Sequence, residues 1–334
     1  MSDAAQAIAG FLSQTEWATA QRTPLTPDAS ARRYDRLTLP CGNTAVLMDA
    51  SCAPEGELER FVRIGTDLSA RGLSTPQILA HAEGFLLLED FGDQRFAVLP
   101  VSQELLYQVA IDALIQLQAT DPPSNLPICN AAHLGMLAAT AWEWYLRKAT
   151  GKSTPHSQDI ASEVTRLAKT LPLAPTTMML RDYHAENLMW LPDREGTRRA
   201  GLLDFQDAMM GHAAFDLVSL LQDARRDVAE EFEDEMLGYF LAQSGTDAEE
   251  FRIAYAALGA IRNLRIVGMF ARLSRHLGRP HYIDFIPRVW RYLDRDLAHP
   301  ALEPLRILVG RDLPEPTQQQ LQFLKDACND TPHL

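Results

Sequence analysis

The sequence predicts an α+β chain of two lobes, a small β-rich N-terminal lobe at 1–92 and a large, mainly helical C-terminal lobe at 93–334. Three observations predict it. At 334 residues the chain exceeds one ordinary core, so units of roughly 100 to 200 residues are expected. Short apolar runs, alternating with period two at first, occupy positions 32–88, whereas from 102 onward the period is helical almost throughout. Within the helical lobe a single stretch, 180–205, departs from that period: two short apolar runs are separated by charged, glycine-containing sequence.

Taken in order, residues 3–17 carry Ile8, Phe11, Leu12 and Trp17 at amphipathic spacing and predict a helix. Residues 32–39 and 44–48 flank Cys41-Gly42-Asn43 and predict a hairpin, because a Gly/Asn turn between alternating runs is its local signal. A helix follows at 55–71, with acidic residues in its first turn and Gly72 just past its end. Strands at 76–81 and 85–88 complete the order strand, strand, helix, strand, strand. Ser102 is placed to cap a helix that Asp121-Pro122-Pro123 ends. Further helical patterns lie at 134–145, 160–171, 216–229, 231–243, 248–277, 285–297 and 316–328.

Composition narrows the function. A net charge of −13 disfavours non-specific binding to nucleic-acid phosphates, which reward basic surfaces. The N-terminus has no basic leader region, and the least polar helical stretch, 131–142, is interrupted by His133 and too short for a bilayer. A cytoplasmic monomer acting on small molecules, with no nucleic-acid or membrane partner, is expected. Cys41, Cys52, Cys129 and Cys328 form no CxxC pair, so neither a zinc site nor a disulfide framework is signalled.

The stretch 180–205 concentrates the chemistry. Its apolar runs at 188–191 and 201–205 read as two buried strands joined by a solvated turn, with Asp182 and Asn187 on the loop entering the first and Asp204 at the end of the second. A loop closed back by a hairpin can gather two carboxylates and one amide oxygen. Such ligands suit Mg²⁺, which keeps waters and shares substrate phosphates.

The layout and its D-x₄-N and D-F elements resemble the protein-kinase-like enzymes of phosphoryl transfer, and more closely the aminoglycoside phosphotransferase family. The residues that carry the resemblance are DASARRYDRL (28–37), AVLMDA (45–50), FLLLEDFGD (85–93), LRDYHAENLMWL (180–191), LLDFQDAMMGHAAFDLVSLLQDARRDV (202–228) and IRNLRIVGMFARL (261–273). The match is closest to the bacterial anomeric kinases of N-acetylmuramate and N-acetylglucosamine. This resemblance implies a protein-kinase-like fold and an ATP-dependent kinase feeding cell-wall sugars back to nucleotide-sugar synthesis. It implies that Asp182 takes or orients the proton of the attacking hydroxyl and that Asn187 and Asp204 hold Mg²⁺. It also implies that Leu88, Glu89 and Phe91 belong to the adenine-binding segment, and that 27–31, with Ser30, stands where a phosphate-covering loop runs.

Two departures from protein kinases stand out. The 27–31 loop lacks glycine, and Met48 occupies the strand position of the phosphate-pairing lysine, with no lysine anywhere before Lys148. Arg32 or Arg33 is expected to substitute, since a guanidinium forks onto phosphate oxygens.

Other residues carry two readings. His184 is either a phosphate or sugar contact or a loop brace; Asp207 either meets substrate hydroxyls or is solvated. Asp216, just before an apolar helix, reads as an N-cap, and the family pattern makes it a brace of the catalytic loop. Arg262 and Arg265 lie near one helix face, where they either form a solvated charged face or supply the cation that a sugar acid needs. Gly151-Lys152-Ser153-Thr154 lacks the earlier glycine of a P-loop and reads as a loop, and Asn329-Asp330-Thr331 is a glycosylation pattern without meaning in a cytoplasmic chain. The competing functions are a kinase of an aminoglycoside, choline or homoserine, and a non-catalytic nucleotide-binding module.

Overall fold

The computed structural model describes residues 3–25, 32–146 and 157–326. In chain order its elements are α1 (Asp3–Leu12), β1 (Gln21–Pro24), β2 (Arg33–Thr38), β3 (Thr44–Asp49), α2 (Glu57–Ala70), β4 (Ile78–Ala82), β5 (Phe85–Glu89) and α3 (Gln103–Gln118). They continue with α4 (Ala131–Thr140), α5 (Ser157–Ala168), β6 (Thr177–Met179), β7 (Leu188–Trp190), β8 (Ala200–Leu202), β9 (Met209–Gly211) and α6 (Ala214–Leu221). The chain ends in α7 (Glu230–Ser244), α8 (Ala248–Leu277), α9 (Ile286–Leu297), α10 (Glu303–Asp312) and α11 (Gln318–Asp326). These elements divide into two compact units, Met1–Leu117 with Glu186–Asp207, and Gln118–Ala185 with Ala208–Leu334.

The first unit is built on an antiparallel sheet in the order β1-β2-β3-β5-β4. Gly42, at φ 92°, makes the β2–β3 turn with a backbone that an L side chain resists. Leu37, Ala45, Leu47, Phe85 and Leu87 share one sheet face and bury Ile8 and Leu12 of α1 together with Trp17. Helix α1 stops at Leu12, short of the expected 17, where Ser13 and Thr15 hydroxyls bond back to the Gly10 and Leu12 carbonyls.

The β7–β8 hairpin belongs to this unit because its backbone is gripped from both sides. Phe96 N–H donates to the Leu188 carbonyl (2.9 Å) and Trp190 N–H to Gln94 (2.7 Å) on one edge, while Leu202 N–H donates to Ser74 (2.7 Å) on the other. Phe205 stacks on Phe61 of α2 with ring centroids 4.8 Å apart. The unit reaches beyond the boundary expected at 92 because α3 is tied into it: Gln116 Nε2 donates to the Arg71 carbonyl (2.7 Å) and its Oε1 accepts from Thr197 (2.7 Å).

In the second unit, β6 pairs antiparallel with β9, and the segment at 127–129 joins the other edge of β9 through Met210 N–H to Pro127 and Cys129 N–H to Met210, both 2.8 Å. The 30-residue α8 is its central helix. By length and composition α8 could cross a membrane, but most of its apolar window is buried in this unit. Gly268 lets its backbone approach within van der Waals reach of the carbonyl of Thr140, where α4 widens into a π turn at Ala141–Tyr145, and Gly259 makes room for the Asp296 carboxylate of α9. Gln222 binds Glu233 and Asp296 through its amide nitrogen, and Asn263 of α8 binds Gln222 (2.7 Å) and Asp296 (3.1 Å), which fixes α8 against its neighbours. Helix α6 ends at Leu221 rather than 229 because Gln222 turns into this network and Asp223 accepts the Arg225 N–H in an Asx turn (2.9 Å).

Candidate active site

In the first unit Arg32 and Gln206 bond Asp204, and the β7–β8 pairing sets Asn187 at the same hairpin end. Pairing of Leu188 with Leu202 brings Asn187 beside Leu203, whose N–H donates to the Asn187 carbonyl (3.0 Å), so Asn187 and Asp204 flank the same end of the hairpin. Asp204 adopts φ 56°, a left-handed backbone that Asp tolerates better than most residues. Its Oδ1 accepts from Arg32 (2.8 Å) and Gln206 (2.9 Å), while Oδ2 has no hydrogen bond among the described residues.

Arg32 immediately precedes β2 and is buried. Its Nε lies 3.2 Å from Glu57 Oε1 in the first turn of α2. Burial opposes the Arg32 charge, but Tyr34, Asp204 and Glu57 more than offset it and raise its pKa. Arg33 is exposed and stands opposite Asp49 on the sheet face that α1 covers. Met48 is buried, in register with Tyr34 and Leu86. Ser30 and the 27–31 loop lie outside the described residues.

Leu88 and Glu89 end β5 within the sheet, and Phe91 follows beyond it. Leu88 is buried, and Glu89 uses its N–H on Gln77 (2.8 Å) and its carboxylate on Arg194. The Phe91 backbone N–H has no partner among the described residues. Its ring is fixed: Gly201 leaves space for it, since a Cβ there would lie 2.8 Å from the ring, and the Arg194 guanidinium sits 5.1 Å above it. Asp207, the last residue of this unit, is exposed.

In the second unit, β6 delivers Leu180, Arg181 and Asp182. Asp216 of α6 is fully buried and accepts the N–H groups of Leu180 (2.6 Å) and Arg181 (2.8 Å), while Ser219 Oγ donates to the Arg181 carbonyl (3.1 Å). These bonds hold Arg181 at φ 74°, one residue before Asp182. Burial pushes the Asp216 carboxyl up to about 7 against the pull of both N–H groups. Asp216 is therefore not the N-cap that its position suggests: Ala213 occupies that place, and the Asp216 side chain turns inward to the loop.

Asp182 lies within electrostatic reach of Arg262 and Arg265 of α8 and of His184. Arg262 is buried and donates to the Gln222 carbonyl (3.2 Å); burial lowers it to about 10, so it stays cationic at neutral pH. Burial likewise depresses His184, which Asp223 only partly counteracts.

For Mg²⁺, the first unit offers one carboxylate and one amide oxygen at one hairpin end. No cluster of three or more His, Cys, Asp or Glu suited to a metal occurs among the described residues. Few protein ligands of hard oxygen character fit an ion completed by phosphates and water.

An antiparallel β unit with an Arg–Glu pair, together with a helical unit bearing a braced catalytic-type Asp loop, defines a protein-kinase-like phosphotransferase. Residues 21–258 match the APH phosphotransferase enzyme family, and the chain belongs to it. It is 36% identical to the N-acetylmuramate/N-acetylglucosamine kinase of Caulobacter vibrioides over 95% of this chain and 99% of that one. It is 31% identical to the Pseudomonas aeruginosa enzyme of the same name over 87% and 88% of the two chains. A choline/ethanolamine kinase family protein from Mesorhizobium loti shares the fold, with a TM-score of 0.59 at 13% identity over 96% of this chain and 99% of that one.

Sequence reasoning did not single out Glu57, Gln206 or Ser219. Glu57 had a signal: an acidic residue opening the helix between β3 and β4 stands where kinase-like folds place the partner of the strand cation.

Proposed function

We propose that this chain is an ATP-dependent kinase that phosphorylates the anomeric hydroxyl of N-acetylmuramate and N-acetylglucosamine, acting as a cytoplasmic monomer in the reuse of cell-wall sugars. The observation that carries phosphoryl transfer is the bridging of Glu57 and Asp204 by Arg32, a kinase-type ion pair with arginine in the role of lysine. The choice of sugar is supported by near full-length similarity to the Caulobacter vibrioides enzyme.

In this reading the first unit holds ATP. The Phe91 N–H meets adenine, Leu88 and Glu89 frame it, Ser30 contributes to the phosphate loop, and Arg32 takes phosphate oxygens while keeping Glu57. Asn187 and Asp204 would hold Mg²⁺, which when bound spreads the charge of the phosphates. The second unit holds the sugar. Asp182 accepts the C1 hydroxyl proton as that oxygen bonds to the γ-phosphorus and the bond to the ADP oxygen breaks. Because the transition state is loose, positioning and charge neutralisation supply most of the rate. Arg181 and Asp216 serve by fixing the Asp182 backbone. Arg265, with the charge of Arg262 held in the core beside it, makes an acceptor region suited to an acidic rather than a cationic substrate, against a choline or aminoglycoside acceptor.

ADP release measured with ATP, Mg²⁺ and a panel of amino sugars, aminoglycosides, choline and homoserine tests the reading. Turnover confined to the amino sugars is expected. Turnover on a cationic acceptor alone would overturn the assignment.

A further inference from the structure

Three groups of the second unit lie within electrostatic reach of one another from separate elements, Arg181 on the loop after β6, Arg265 on α8 and His133 in the first turn of α4, and Arg265 is within reach of Asp182 as well. Asn130 caps α4 by accepting the His133 N–H (3.0 Å), and the 127–129 segment that leads into α4 is paired with β9. This anchors His133 to the same small sheet that delivers Asp182. His133 Nε2 is buried and has no hydrogen-bond partner among the described residues. Arg265 is half-buried and likewise forms no hydrogen bond or ion pair among them. Arg262, three residues earlier, differs: its guanidinium is bonded to the Gln222 carbonyl in the core network.

A buried ring nitrogen without a partner and a desolvated guanidinium without a hydrogen bond are both costly unless a ligand completes them. Asp216 is spent on backbone N–H groups, and the groups that act on Arg265 are Asp182 and Arg181. Burial, reinforced by Arg181 and Arg265, depresses the His133 pKa, so its imidazole is neutral and one ring nitrogen can accept a hydrogen bond.

We propose that Arg265 and His133 are specificity-determining residues of the acceptor site: Arg265 pairs with the carboxylate of an acidic amino sugar, and His133 accepts a hydrogen bond from a hydroxyl or amide N–H common to acidic and neutral sugars. This rests on the amino-sugar kinase reading and separates Arg265 from its helix neighbour Arg262, which holds the fold. A neutral amino sugar then binds through His133 while leaving Arg265 hydrated.

Steady-state kinetics of Arg265→Met, Arg265→Lys, His133→Ala and His133→Gln, with N-acetylmuramate and N-acetylglucosamine compared side by side, test it. Arg265→Met is expected to lower kcat/KM for N-acetylmuramate roughly 10- to 100-fold, mainly through KM, and to change it for N-acetylglucosamine by less than about threefold. Arg265→Lys recovers some of the loss. His133→Ala lowers kcat/KM for both sugars about tenfold, and Gln, which retains an acceptor, restores some of it. An equal kcat loss on both sugars in Arg265→Met would overturn the pairing and make Arg265 a positioning residue for Asp182; no loss on either would remove it from the site. A wild-type enzyme inactive on both sugars would instead overturn the underlying functional reading. Melting curves of all four variants separate misfolding from altered recognition.

Discussion

Arg32 stands between two carboxylates that have no other strong cation among the described residues, so its removal acts twice. Arg32→Ala removes the charge proposed to meet phosphate and leaves Glu57 and the Oδ1 side of Asp204 without their ion pair. The KM for ATP is expected to rise at least tenfold, with a stability loss of about 2 kcal/mol or more from the stranded charges. Arg33→Ala, on an exposed residue at the other sheet face, should leave both near wild type. Asp216→Ala removes the acceptor of two N–H groups and with it the restraint on Arg181 at φ 74°. A fall in kcat and a loss of about 2–4 kcal/mol in urea unfolding are expected. At this scale residue types, spacing and strand-forming flanks single out Asp182, Asn187 and Asp204 in the sequence, and the hairpin that sets Asn187 and Asp204 at one end is the part the structure adds. The sequence did not point to His133, which lies in an apolar helix; only the tertiary placement of Arg181 and Arg265 near it suggests the role proposed above.

At the scale of elements, packing rests on a few close approaches. A Cβ at Gly268 would lie 2.3 Å from the Thr140 carbonyl oxygen, so α8 would have to move away from α4. Gly268→Ala gains about 1 kcal/mol in helix propensity but should lose more to the clash, leaving the second unit ~2 kcal/mol less stable in thermal unfolding. The His212 side chain caps the start of α6 by accepting the Ala214 N–H (3.1 Å), and burial depresses its pKa to about 4. The folded value lies below the unfolded one, near 6.5, so its contribution is present above that pH and is lost as pH falls toward 4. Between about pH 7.5 and pH 5 the wild type should lose ~2 kcal/mol more than His212→Asn, which keeps a cap acceptor without titrating; parallel urea curves at the two pH values read the difference. The long periodic helices and the Gly42 hairpin were readable from sequence. Strand β1 was not, because all of its residues are exposed at a sheet edge and carry no alternation. Strands β6 and β9 are short and nearly fully buried, so they too lack a period.

For the whole molecule, the compact units do not follow the chain in two blocks. The hairpin at 186–207 leaves the helical segment around it and joins the N-terminal sheet through backbone bonds to Ser74, Gln94 and Phe96. Local periodicity cannot report that, since the pairing joins residues about a hundred positions apart, and the expected boundary at 92 came only from the change of period. In the proposed reading, in which the first unit holds ATP, ATP and Mg²⁺ at 100 times the Kd should raise stability by about 2.7 kcal/mol, seen as a higher melting temperature. That shift should shrink in Arg32→Ala. In the proposed reaction the anomeric hydroxyl is phosphorylated with Asp182 as the proton acceptor. Phosphorus NMR of ATP, Mg²⁺ and N-acetylmuramate or N-acetylglucosamine with the enzyme should show a sugar 1-phosphate appearing as the reducing end disappears, about 10²–10⁴-fold more slowly in Asp182→Asn. No anomeric phosphate from either sugar, or equal rates in Asp182→Asn and wild type, would contradict it.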